Sequence, residues 1–543
     1  MDLCLKTIAA TCIGLTSAAA SGHDEANAAA RGAGPSFGHA HFQTSCSAEA
    51  QRQFDRALTM LHSFFFPETI KAFEAIPATD PQCDIAYWGL AISQRPNPLV
   101  GPFDAATLQR GLEAVEKGES VGAKTQRERD WLAALKEFYK DYPSVDQDTR
   151  AKNYEKAMEA LVQKYPDDVE AKIFYALALN ETYDHNDKSY AALLRAAGLL
   201  ESLDRKYPDH PGITHYIIHS YDFAPIAGRG LNAANRYAAL APSAPHALHM
   251  PSHIYSQLGM WEQSVTANQR TLARSRAYME EVKLDGMYGA IAHSWDFMEY
   301  AYLQMGRDDL AKGLVDESQG VTKLFRPGLG VETGMAAVPA RYMLERQDWK
   351  GAAALEPNPL LKSPVAEAIT RYARAVGAAR GGNPDAAQLE IDRLAAIRGA
   401  LEKANQGYWA QQVEIQQLSA QAWQAQSRGD SPQALKLARA AADLEDNSEK
   451  HVAMEHRLYP MREQLADLLL TQGQAAAALK EYENSMGSAP NRLRGWYGAA
   501  TAAEAAGDKT KSAGYFAKLS QLVRGSANDR PELRDVRVKV AGQ

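Results

Sequence analysis

The chain has 543 residues, 45% of them apolar and 23% charged, enough apolar surface for a substantial core, which excludes wholesale disorder. Its 66 acidic residues outnumber its 59 Lys and Arg, for a formal net charge of -7, and no long basic run interrupts it. That balance excludes nucleic acid as the expected partner. Length alone leaves the domain count open, because a repeat array can continue as one body well past the usual domain size of about 150 residues.

In chain order, residues 1–20 read as a signal peptide: Lys6 precedes an apolar, small-residue stretch from Thr7 to Ala20, which ends in the cleavage pattern Ala18-Ala19-Ala20. The stretch is too short for a membrane span, so no transmembrane segment is expected and the mature protein is assigned to the periplasm or the exterior. Cleavage after Ala20 would leave Ser21-Gly22-His23 first, an amine-and-histidine arrangement able to chelate copper(II) or nickel. Cys4 and Cys12 leave with the signal peptide, so Cys46 and Cys83 remain as a disulfide candidate in an oxidising compartment, with two buried thiols as the alternative. Residues 21–47, rich in Gly, Ala and His without periodicity, read as a flexible leader.

From Ala48 onward apolar residues recur at three and four, Ala is abundant, and Gly or Pro punctuates about every fifteen residues. Helical hairpins follow, and they repeat. Ala466 and Ala500, Gly473 and Gly507, Tyr482 and Phe516 each lie 34 residues apart. Small residues recur where two helices cross closely, and Gly recurs at the turn between them. On these residues, with Pro490, Pro81, Pro208 and Pro242 closing units, the chain resembles the tetratricopeptide (TPR) family. The resemblance implies an all-α fold, an α-solenoid of helix-turn-helix hairpins wound into a right-handed superhelix, whose first helices line a concave groove that binds a protein or peptide. The clearest units are 50–83, 84–120, 169–210, 211–244, 245–278, 292–325, 368–401, 415–448, 459–492 and 493–526. They group as an N-terminal array over 48–325 and a C-terminal array over 366–526, with 326–365 a connecting segment and 527–543 a tail.

The histidines are the least ordinary feature. Pro208, Pro211, His215, His219 and Tyr221 recur 34 residues later as Pro242, Pro245, His249, His253 and Tyr255. Each His-x-x-x-His pair shares one helix face, and His246 extends the second pair by a turn. A shift of 47 aligns Gly259 with Gly306, Tyr255 with Tyr302 and His246 with His293, the extra residues lengthening a connection around Val282 to Tyr288. Asp296 then takes the place of His249, and Tyr300 that of His253. The resemblance makes His215, His219, His246, His249, His253, His293, Asp296 and Tyr300 the lining of the groove. Imidazoles on helices packed about 8–10 Å apart can converge on one ion, and His215, His219, His249 and His253 are the metal candidates. Zinc, copper or iron suit imidazole, and an Asp among the ligands favours zinc or iron over copper(I). Recognition of an anionic or peptide ligand, or histidines that only fill a shallow groove, give the same pattern. His215 to His219 has metalloprotease spacing but lacks the Glu after its first His, and no phosphate loop or nucleophile elbow occurs. Three nitrogens with a carboxylate can hold a metal-bound water, with Tyr300 donating to an oxyanion, but the leading expectation is a binding scaffold with no catalytic residue. Pro251 falls inside the helix carrying His249 and His253 and should kink it or shift its start.

Overall fold

The computed structural model describes residues 36–528 and 530–541; the signal peptide and the Ser21-Gly22-His23 motif lie outside them. From Phe37 onward the chain is one unit, an all-α solenoid of TPR-like hairpins in which each helix packs on the next in sequence. Several helices start where the sequence supplies a cap: Ser47, Asp104, Thr125, Asp146 and Asp168 each accept a hydrogen bond from the backbone N–H three residues on. The recurring glycines sit where a hairpin reverses. Gly259, Gly306, Gly473 and Gly507 all have positive φ, a conformation that costs glycine little and other residues more.

Alternate helices form an inner row: Val169–Thr182, Pro211–Ser220, Pro245–Gln257, Gly289–Gln304 and Leu329–Glu345. The third of these is two short helices, Pro245–His249 and Pro251–Gln257, meeting at Met250. Pro251 occupies the first turn of the second piece, where its missing N–H costs least. The following helix runs from Trp261 to Val282 and stops at Lys283, whose φ is 50°. A short parallel pairing of Met287–Tyr288 with Leu324–Phe325 takes up the lengthened connection.

Three segments differ from the sequence expectation. Residues 37–47 of the expected leader are packed: Phe42 is fully buried against Phe54, Trp88 and Trp131, and its N–H donates to Asp55. Two phenylalanines in a non-periodic stretch give no periodic signal, yet their burial offsets the ordering of a short extended segment. The expected connector holds the helices Leu329–Glu345 and Trp349–Ala353, with Pro339 inside the first. The expected tail holds Pro531–Ala541, with Leu533 and Val536 buried. Pro and Gly in these stretches read as breakers, but Gly328, Pro364 and Pro531 stand at helix starts, where they are tolerated. A further hairpin, Gln126–Tyr139 with Gln147–Lys164, lies between the second and third units read from the sequence. Cys46 and Cys83 are joined in a disulfide across the first hairpin.

Distant hairpins also meet. Asn491 donates its side-chain amide to the Gly259 carbonyl and accepts at its own carbonyl from Trp261, and Ser526 donates to the Gly306 carbonyl. A Cβ on Gly259 would stand 2.5 Å from that of Asn491, so the turn and the later hairpin require each other's shape. Residues 447–458 cross the inner row. Within them the Glu449 N–H donates to the His185 carbonyl, its carboxylate meets Lys188 and Tyr190, and Lys450 reaches Asp222.

Candidate metal centre

Six of the eight residues assigned to the groove come together, in a grouping different from the one read helix by helix. His215 and His219 join His246 of the next inner helix, and His249 and His253 join His293 of the one after. Within each trio one ring nitrogen per residue lies within 4.8 Å of the others. Each centre is therefore a His-x-x-x-His pair closed by a histidine from the following repeat. The two centres adjoin: the His219 and His253 rings are 6.0 Å apart and the His246 and His249 rings 6.2 Å.

Proton positions follow from the partners. His215 Nδ1 is 2.6 Å from the His62 carbonyl, which can only accept, so Nδ1 carries the proton and Nε2 a bare lone pair. Asn268 uses its amide nitrogen on the Ser264 carbonyl, so its oxygen accepts from His249 Nδ1 at 2.6 Å. His253 Nδ1 donates to Asp222 at 2.7 Å, and Lys450 donates to the same carboxylate at 2.9 Å. His249 Nε2 and His253 Nε2 are then both acceptors, facing each other at 3.0 Å with no proton between them. In the other trio His215 Nε2 meets His219 Nε2 at 3.0 Å and His246 Nε2 at 3.1 Å, and its single lone pair can take a proton from only one of them. A tetrahedral metal about 2.0–2.1 Å from each nitrogen would hold them about 3.3 Å apart, close to these separations.

Burial reinforces neutrality. All six imidazoles are held below the usual histidine range, first by loss of hydration, with His249 lowered to about 4. Neighbouring histidines add like-charge repulsion for all but His249 among them. His215, His219, His249 and His253 are buried, while His246 and His293 are partly exposed. Each trio has an apolar wall: Phe64 lies 4.5 Å from His215 and 5.2 Å from His246, and Phe297 lies 4.7, 4.8 and 5.1 Å from His249, His253 and His293.

Asp296 and Tyr300 do not join the imidazoles. Asp296 is ion-paired with buried Arg341 and accepts from the Glu455 N–H, and Tyr300 accepts from Arg492 at 2.6 Å. The 47-residue shift places them correctly along the helix, but one and two turns beyond His293 the inner face meets residues 447–458 and the C-terminal hairpins instead of a neighbouring imidazole. His456 stacks on Tyr300 outside both trios. His62 and His210 flank Glu170 at 2.9 and 2.8 Å, a carboxylate already satisfied by two imidazoles. The supporting partners Asp222, Asn268 and Lys450 and the walls Phe64 and Phe297 carry no repeat signal; only Asn268, one helix on from His249, lies at a spacing that a hairpin register brings near.

No family model matches the chain, and no curated protein matches it. Among solved structures, the chain is similar to the human IFIT1 dimer with PPP-AAAA at 11% identity, over 81% of this chain and 91% of that one, with a TM-score of 0.39. It is also similar to Naa15/Naa10 bound to HypK-THB, at 11% identity over 91% of each chain, with a TM-score of 0.24. Neither likeness bears on the histidine centre. No helix among the described residues is long and apolar enough to cross a membrane.

Proposed function

We propose that this protein is a metal-binding solenoid whose two adjoining tris-histidine centres each hold a transition-metal ion. One observation carries the reading: Nε2 atoms 3.0 Å apart on His249 and His253, both left as acceptors by the bonds their Nδ1 atoms make. Two buried lone pairs facing each other repel, and a cation between them turns that repulsion into ligation. The outer bonds support it further, since a metal-bound histidine characteristically donates its other N–H to a carbonyl or carboxylate that fixes the ring. Three imidazoles with an open position suit zinc, copper or iron.

The binding role expected of a hairpin stack is kept, with metal ions as the ligand. A peptide laid along the inner helices would have to displace residues 447–458, which Lys450 anchors to Asp222. Export to an oxidising compartment belongs to the same reading, supported by the Cys46–Cys83 disulfide.

The test is elemental analysis of untagged protein from its native compartment, beside a variant with His215, His249 and His253 all changed to Ala. Near-stoichiometric metal in the wild type and none in a folded variant supports the reading. Wild type that carries no metal, and takes up none of zinc, copper or iron after reduction and dialysis, overturns it.

A further inference from the structure

Resting on that metal-binding reading, we propose that the two centres act together as a copper pair that binds dioxygen between them. The first argument is the ligand set. With Asp296 paired to Arg341, the two centres present six imidazoles and no carboxylate ligand. The carboxylate nearest in the bonding chain, Asp222, is engaged by the Lys450 ammonium as well as by His253. These two carboxylates therefore supply no net negative charge to a buried metal pair. Two divalent ions would bring four uncompensated positive charges into this apolar cluster, and two copper(I) ions only two, so desolvation favours the monovalent pair. The Asp that pointed toward zinc or iron in the sequence is absent from the site, and the preference turns to copper.

The second argument is adjacency. The rings facing each other across the boundary, His219 with His253 and His246 with His249, are 6.0 and 6.2 Å apart, within the 4.5–6.3 Å range found inside the trios. The two trios are one continuous cluster, and ions at their centres can share a small bridging ligand, as metals about 3.5–4 Å apart do in two-metal sites. The third is the enclosure. Phe64 and Phe297 present rings with no exchangeable proton to the two centres, and of the six ligands only His246 and His293 are partly exposed. Apolar walls of this kind favour a small apolar molecule over water beside the ligands.

The reaction balances on the pair alone. Each copper(I) gives one electron, dioxygen accepts two to become a bridging peroxide, and both ions finish as copper(II). Dioxygen enters uncharged, so the peroxide's two negative charges offset the two positive charges the coppers gain, and no further reductant or proton is needed.

The experiment loads the metal-depleted protein anaerobically with copper(I), admits dioxygen, and follows oxygen consumption together with the copper(II) spin-resonance signal. The expected result is two coppers bound per chain, one dioxygen consumed per pair, a new near-ultraviolet absorption, and little spin signal because the two copper(II) spins couple through the bridge. His249→Gln, which removes a ligand from one centre only, should bind a single copper and lose the pairwise uptake; a zinc-loaded wild type should consume no oxygen. Two coppers that stay inert to dioxygen, or that oxidise to an uncoupled full spin signal, overturn the inference while leaving the metal-binding reading intact. Protein that takes up no metal of any kind fails at the earlier step and overturns both.

Discussion

Asn268→Leu separates a metal ligand set from a satisfied polar core. Asn268 holds the His249 ring with its proton on Nδ1 through a 2.6 Å bond, and so forces the bare Nε2 toward His253. Leucine has similar volume and no acceptor. Freed from that bond, His249 takes the other tautomer and places its proton on Nε2, in the 3.0 Å gap, where it donates to His253. The metal-free protein exchanges one hydrogen bond for another, each worth about 1 kcal/mol net, so its stability changes by less than about 1 kcal/mol. Metal binding must reverse the tautomer without support, and loss of such an outer partner typically costs 10–100-fold in affinity, or about 1.4–2.7 kcal/mol. The His215, His219 and His246 centre keeps its own support from the His62 carbonyl and should not change. Chelator-competition titrations report the two affinities, and denaturant melts of metal-free protein report stability. A variant destabilised by about 1–3 kcal/mol, as for a buried N–H left unpaired, with metal affinity unchanged, refutes the reasoning.

Other outcomes follow from the fold. Glu455 is buried, and that burial raises its carboxyl from 4.5 to about 8. The folded state then keeps a proton that the unfolded state releases above pH 4.5, so stability is lost as pH rises through that window; between pH 4.5 and 7 wild type should lose about 3 kcal/mol relative to Glu455→Gln, and a gap constant with pH contradicts this. Changing Cys46 and Cys83 to Ser opens a loop with sequence separation 37, for which chain entropy gives about 4 kcal/mol; denaturant melts showing under 1 kcal/mol count against it. Arg492→Met strands the Glu345 and Glu463 carboxylates, which the guanidinium meets at 2.6 and 2.7 Å, and should cost about 3–5 kcal/mol in the same melts.

The sequence carried the hairpins because their determinants are local: caps, three-and-four spacing and turn glycines all act within a few residues. It carried the imidazoles because a repeat places equivalent residues at equivalent heights, so His215 and His249, 34 residues apart, had to lie on neighbouring inner helices. It could not assign His246 to His215 in place of His249, because that depends on how far one repeat is displaced along the next. Nor could it remove Asp296 and Tyr300 from the site, since their partners Arg341 and Arg492 arrive from later hairpins. Phe42 and the helix Leu329–Glu345 were hidden for the opposite reason, being locally irregular stretches that only burial against the rest of the molecule makes ordered.

The repeat also explains why there are two centres rather than one. A His-x-x-x-His pair on one inner helix needs a third ligand within reach, and the residue best placed is one near the start of the next inner helix, as His246 is to His215 and His219. Once a following repeat carries the same pair, that repeat both closes the first centre and opens a second, which its own successor closes with His293. The separation of the centres is then governed by how adjacent inner helices pack and not by loops. Extension stops at the next step because Asp296 and Tyr300 replace the pair and turn to Arg341 and Arg492, so the array that could repeat a metal site indefinitely ends in a buried ion-pair network. A solenoid thus fixes the separation of two ions through the same contacts that hold it folded, and changing either centre's ligands leaves that separation in place.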